Sequence, residues 1–174
     1  MRRVLAAVLV LAVAATAAAP AQSPARGLIA SASTCPSRGA GATAQERQML
    51  CFTNYARRAA GRPPLGASAP LHRAAVHKSA DILRCDEFSH EACGRDFTYW
   101  VQQFTSCGAI AENIAWGTGP LGGVRAIFRA WMHSSGHREN ILGPYAQIGI
   151  GLRSGSLEDN AGTRVWTQDF GAGC

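Results

Sequence analysis

The sequence predicts an α+β domain. Three observations carry that expectation. Apolar residues recur at helical spacing in four segments up to about residue 131. Strict alternation takes over in 146–152 and again in 164–170. Six cysteines, an even number, all follow an apolar leader. Helices first and strands later is the α+β order, not the strand–helix repetition of a parallel sheet.

The leader comes first. Arg2 and Arg3 precede an apolar run from Val4 to Ala15, and small residues continue to Ala21. This is the pattern of a signal peptide, residues 1–21, cut after the Ala19-Pro20-Ala21 triplet. The run falls short of the roughly 20 residues a membrane anchor needs, and no later segment is apolar enough to span. Cys35 follows Ala32-Ser33-Thr34, not the box that precedes a lipidated cysteine. The mature chain is therefore expected to be secreted and extracellular, with no membrane span after cleavage. Its length suits one domain and leaves no room for a second.

Residues 22–42 are rich in Ser, Ala, Pro and Gly and read as a flexible N-terminal linker pinned by Cys35, ahead of a domain over 43–174. Thr43 and Glu46 have the spacing of a capping box, and Met49, Phe52 and Ala56 predict a first helix over about 44–60, stopped by Gly61 and Pro63-Pro64. Leu71, Ala74, Ala75 and Ile82 predict a second helix ending near Arg84. Asp96 stands as a cap before the stripe Phe97, Trp100, Val101 and Phe104, a short third helix. Val124, Ile127, Phe128 and Trp131 predict a fourth, broken near Gly136. Residues 109–115 give a weaker strand signal. The strands over 146–152 and 164–170 flank a Gly- and Asn-containing loop over 154–162 and form an antiparallel hairpin.

The formal charge is +6, two units of which leave with the leader. Lys78 is the one lysine, and the arginines are scattered without interleaved aromatics, which excludes a nucleic-acid footprint. Arg57, Arg58 and Arg62 read as a solvated basic face, although Arg57 and Asn54 also suit hydrogen bonds that fix the first helix. The cysteines are Cys35, Cys51, Cys85, Cys93, Cys107 and Cys174; no Cys-x-x-Cys pair suggests a zinc knuckle or redox centre. Sequence proximity pairs Cys85 with Cys93. The other four are not fixed by spacing, and the reading leans to Cys35–Cys51 and Cys107–Cys174.

Asn54-x-x-Arg57, Phe88-Ser89-His90, Ala111-Glu112-Asn113-Ile114 and the run from Trp131 to Leu142, in that order, together resemble the CAP family, the SCP-like extracellular domain, in its bacterial branch. Asn54-x-x-Arg57 with Gly61 and Pro64-Leu65 is similar to its first helix and exit, and Phe88-Ser89-His90 to its histidine motif. Ala111-Glu112-Asn113-Ile114 resembles its Glu-Asn-Ile segment. The run from Trp131 to Leu142 resembles the signature Trp-Met-x-Ser-x-Gly-His-Arg-x-Asn-Ile-Leu. Ile148-Gly149-Ile150-Gly151 and Trp166 to Gly171 match the closing strands, so the resemblance covers about 44–171. It implies a three-layer α-β-α sandwich with a small central antiparallel sheet flanked by about four helices. It also implies a cleft with two histidines and two acidic residues. The matching positions are His90, His137 and Glu112; the fourth falls on Ser134, a departure that weakens any four-ligand site.

Two imidazoles and a carboxylate are the donor types of an open zinc site, so His90 and His137, with Glu112, are the candidate ligands of a divalent metal such as zinc. The competing reading is that the three hydrogen-bond one another and tie loops to the sheet. Ser89, Ser134 or Ser135 could fix a ring nitrogen, but no Gly-x-Ser-x-Gly turn presents a nucleophile. His133 and His137 would share a helix face only if Gly136 did not break it. His72 and His77 read as solvated histidines. The expected function is a secreted binding or interaction module, a monomer holding a divalent cation or small ligand, or an unknown extracellular partner. The alternatives are a metal-assisted extracellular hydrolase of peptide or cell-wall polymer, and a lipid or sterol carrier with an aromatic-lined groove.

Overall fold

A computed structural model describes residues 25–39 and 41–174. The leader expected over 1–21 lies outside them. Among the described residues no helix is long and apolar enough to cross a membrane. The elements run α1 (Ala42–Ala59), β1 (Gly66–Ala67), α2 (Ala69–Arg84), α3 (Tyr99–Phe104), β2 (Ala109–Thr118), α4 (Val124–His133), α5 (Ser135–Leu142), β3 (Gln147–Leu157) and β4 (Asn160–Ala172). The α+β expectation holds, with a fifth helix added.

The sheet has the order β1-β3-β4-β2. The three long strands are antiparallel, and two-residue β1 pairs parallel with β3 through Gly66↔Gln147 and Ala67↔Ile148, making the sheet mixed. Directly opposed residues share a face, so the register sorts the core. One face carries Ala111, Ile148, Ile150, Leu152, Trp166 and Phe170, packed under Met49 and Phe52 of α1, Phe128 and Trp131 of α4 and Ile141 of α5. The other carries Ile110, Ile114 and Val165 against Leu71, Ala74 and Ile82 of α2 and Val101 of α3. Helices cover both faces of one sheet.

The Ile-Gly-Ile-Gly run of β3 sets how closely α2 lies. Its isoleucines enter the α1 side, while a Cβ on Gly149 or Gly151 would run into the backbone of Leu71 or Ala75. Helix backbone therefore rests directly on strand backbone there.

Several local expectations are corrected. The Thr43–Glu46 capping box does not form: Gly41 is the N-cap without a side-chain bond, and Glu46 is buried with Oε1 accepting the Leu152 N–H of β3 at 3.0 Å. An unpaired strand N–H in the interior is a stronger claim on a carboxylate than an exposed helix end. Asp96 caps a turn instead of α3, taking Thr98 N–H and Oγ1 at 2.8 and 2.7 Å, and the helix starts at Tyr99. The fourth helix breaks at Ser134, which is extended, and Gly136 sits inside α5. The hairpin loop shrinks to Glu158-Asp159, both with positive φ (47° and 63°), because the polar residues from 154 onward continue the strands into a projecting ribbon. Arg57 is no solvated residue. It is 1% exposed, and donates to the carbonyls of Pro63 (2.8 Å), Ile141 (2.8 Å), Gly143 (2.9 Å) and Tyr145 (3.1 Å).

All three disulfides form as the reading leaned: Cys35–Cys51, Cys85–Cys93 and Cys107–Cys174. Within the stretch read as a linker, Ala30 and Cys35 are fully buried against the α1 core.

Candidate functional site

The candidate site lies on β2, an outer strand of the sheet. Glu112 points to the α2 side of that strand, and Asp169 of β4 stands directly opposite it on the same face. Both are buried, at 6% and 1% exposure. Above them α2 supplies Lys78, which falls on the helix's own buried stripe with Leu71, Ala74, Ala75 and Ile82. Its Nζ lies 3.8 Å from Glu112 Oε1 and donates to the His90 carbonyl.

His90 arrives on the loop between α2 and α3. That loop is stapled by Cys85–Cys93, and pinned by Asp86 Oδ1 accepting the Glu158 N–H and Glu87 Oε2 accepting the Cys93 N–H. The His90 ring Nδ1 donates to Glu112 Oε1 at 2.7 Å, while half of the side chain stays exposed. The ring orientation is thus set by a carboxylate from beneath, leaving Nε2 as the outward group.

His137 sits in the first turn of α5, immediately after the chain redirects at Ser134. Amide side chains dock this turn onto β2. Asn113 Nδ2 donates to the His137 carbonyl at 3.1 Å and to Gln168 Oε1 at 3.2 Å. Asn140 Nδ2 donates to the Glu112 carbonyl at 3.2 Å and to Asn113 Oδ1 at 3.0 Å. Gln168 Nε2 passes on to Thr53 Oγ1 of α1 at 2.9 Å. One polar relay through the core therefore joins α1, β4, β2 and α5.

Three polar atoms here are buried without a hydrogen-bond partner: Glu112 Oε2, Asp169 Oδ1 and His137 Nδ1. Burial sets their electrostatics. Desolvation pushes the Asp169 carboxyl well above its ordinary value, with the nearby Glu112 charge adding and Lys78 opposing. Glu112 is also raised by desolvation, against the His90 hydrogen bond and the Lys78 charge. The His137 imidazole is lowered, first by desolvation and then by His90. Burial thus favours the protonated, uncharged carboxyl of Asp169 and the unprotonated, uncharged imidazole of His137.

The structure joins His90 to Glu112 directly and brings His137 to the adjoining residue of β2. Ser134 is half-buried and serves as a backbone hinge, its N–H donating to the Ala130 and Trp131 carbonyls at 3.2 Å; its hydroxyl caps nothing. Among the described residues no serine bonds either imidazole, so the proposed serine support of the rings is replaced by Glu112 for His90 and by nothing for His137. Nor does any group of three His, Cys, Asp or Glu side chains among the described residues stand close enough to hold a metal ion. The donor types suit zinc; their placement does not fit a preformed zinc site. His133 is exposed and separated from His137 by the Ser134 break. His72 bonds the Ile150 carbonyl at 2.7 Å, and His77 stacks on Trp100 at 4.3 Å, so neither is merely solvated.

Sequence reasoning missed Lys78, Asp169 and Gln168. The first had a signal, since a lysine on the apolar stripe of an amphipathic helix must be paired. Asp169 had one as well: it occupies the inward register of a buried strand. Gln168 shows nothing at the level of residue type.

The arrangement has recognisable relatives. The protein YkwD of Bacillus subtilis (strain 168), itself described as uncharacterized, is 33% identical over 141 residues, which are 79% of this chain; the chain spans about half of that relative's length, 51%. Among solved structures, an extracellular protein containing an SCP domain from Bacillus anthracis superposes with a TM-score of 0.63 at 25% identity, over 75% of this chain and 41% of that one. An outer surface protein of Borrelia burgdorferi reaches the same TM-score, 0.63, at 16% identity over 72% of this chain and 90% of its own, a likeness of fold. The cysteine-rich secretory protein family model matches residues 50–170, and with the helix-sheet-helix layers and the His90–Glu112 edge in place, the chain belongs to that family, CAP.

Proposed function

We propose that the chain is an extracellular binding module that holds a small polar ligand at the β2 edge, between His90, Glu112 and His137. One observation carries the reading: Glu112 Oε2 and His137 Nδ1 are buried yet have no partner in the fold. Leaving a buried polar atom unpaired costs about 1–3 kcal/mol, and a ligand that supplies the missing bonds recovers it. The apolar leader and relatives described as extracellular or outer-surface proteins support placement outside the cell.

Hydrolysis has less support. A His–Glu pair lacks a nucleophile bonded to it, and a divalent cation such as zinc would require the donors to move together. A lipid or sterol reading calls for an aromatic-lined groove without polar groups. The groove of about 350 Å³ between α1 and α2 is instead lined by Leu50, Ile148 and Ile150 with Glu46, Arg47 and His72.

The test is a titration of the oxidised protein, followed by NMR, with zinc chloride and with a panel of small polar compounds. The expected result is a ligand that shifts residues around Glu112 and His137 and loses affinity in Glu112→Gln and His137→Asn, without being consumed. Stoichiometric zinc lost in His90→Ala and His137→Ala would replace this reading with a metal site. Turnover of peptide or glycan abolished by Glu112→Gln would replace it with an enzyme.

A further inference from the structure

On the α2 side, β2 carries buried Glu112 and Ile114 and half-buried Trp116 in line, about 13 Å from first to last at the rise of a strand. The stapled loop runs along the same line. His90 bonds Glu112 at one end, and two residues earlier the Phe88 ring meets Trp116 edge-on, centroids 6.5 Å apart. Phe88 is 39% exposed and Trp116 half-buried, so an aromatic pair stands open beside the His90–Glu112 pair.

Trp116 differs from the other tryptophans. The indole N–H groups of Trp100, Trp131 and Trp166 are spent on Asp81 Oδ2 (2.8 Å), the Ile114 carbonyl (3.2 Å) and the Gly122 carbonyl (3.0 Å). Among the described residues, no hydrogen bond reaches the Trp116 N–H. The strip therefore offers a donor at its aromatic end and the half-exposed His90 ring at the other, with the unpaired Glu112 Oε2 buried beneath that ring.

Charge narrows the occupant further. Lys78 and Glu112 pair with side chains only 3% and 1% exposed, so the accessible part of the strip, Phe88, Trp116 and the His90 ring, presents rings and no lysine, arginine or carboxylate charge. The complementary ligand is uncharged, has an apolar face to lie on aromatic rings, and carries groups that both donate and accept hydrogen bonds. A pyranose has all three, in its C–H face and its hydroxyls, and the length suits two or three rings joined in line.

We infer that the Phe88–Trp116–His90 strip along β2 is a subsite for a neutral oligosaccharide, stacked on the aromatic pair with hydroxyls at Trp116 Nε1 and at the outward Nε2 of His90. The inference rests on the binding reading above and specifies its ligand class.

The test titrates chitotriose, cellotriose and maltotriose into the oxidised, isotope-labelled protein and follows the Trp116 indole N–H. The expected result is that at least one trisaccharide moves that resonance. Phe88→Ala, at an exposed position, should weaken binding about tenfold, and Trp116→Phe, which keeps a ring but removes the donor, should weaken it severalfold. The inference is overturned if no trisaccharide moves the resonance, if Phe88→Ala leaves affinity unchanged, or if binding maps to the other exposed aromatics, Phe97 and Tyr99. If another polar ligand still titrates Glu112 and His137 while every saccharide fails, the binding reading stands and only the ligand class falls.

Discussion

Two titrating residues make the chemistry of the edge measurable. Asp169 is a carboxyl whose folded pKa is raised by burial above the ordinary 3.8. The native state then holds a proton that the unfolded state releases, so stability is greatest below about pH 3.8 and declines as pH rises toward the folded value. Asp169→Asn keeps the shape and removes the titration. Its denaturation midpoint should equal or exceed the parent's at pH 7, with the advantage vanishing near pH 4; a parent more stable than the variant at pH 7 would mean that Asp169 is ionised and paired. His137 has the opposite sense. Its imidazole is lowered from 6.5, so the folded state resists protonation and loses stability as pH falls from 6.5 toward the folded value. NMR titration should give a midpoint below 6.5. His90→Gln should move it upward only in part, because burial, the larger cause, remains.

At the scale of elements, the closeness of α2 to β3 depends on two residues without side chains. Gly151→Ala places a methyl against the Ala75 backbone, which cannot rotate aside as a side chain would. Chemical denaturation should show a loss of about 3 kcal/mol or a failure to fold, at the severe end of overpacking. Gly162, with φ of 70° and open space around a Cβ, should cost far less on the same change. The contrast also shows what could be read in advance. Alternation located β3 and β4, but the same Ile-Gly pattern does not say that the glycine face receives a helix. Helix periodicity found α1, α2 and α4, and α3 from Tyr99 onward. It missed α5 as a separate helix, because the break at Ser134 is a matter of φ and ψ in a residue type that helices tolerate. The histidines and Glu112 were legible only through resemblance, since they come from a loop, a helix and a strand with no common spacing. Lys78 and Asp169 join the candidate site through register and packing, which exist only once the sheet is paired.

For the whole molecule, the disulfides separate stability from function. Cys107–Cys174 closes a sequence separation of 67 and ties the lead into β2 to the end of β4, where both chains leave the sheet. Cys85–Cys93 closes only 8, but inside the loop that carries Phe88 and His90. Loop-closure entropy scales with the logarithm of loop length, so removing the long bridge by Cys107→Ala with Cys174→Ala should cost about 4 kcal/mol, and removing the short one by Cys85→Ala with Cys93→Ala about 2.5 kcal/mol. Affinity should rank the other way. The double variant of the long bridge keeps His90 against Glu112, because β2 remains paired with β4 over ten residue pairs. Without the short bridge, only the Lys78 bond to the His90 carbonyl, the Glu87 and Asp86 contacts and the His90–Glu112 bond itself hold the loop. Denaturation curves and ligand titrations on the two variants should therefore give opposite orders. Equal affinity losses would show that the loop is held by packing alone and that the edge of β2 does not depend on its staple.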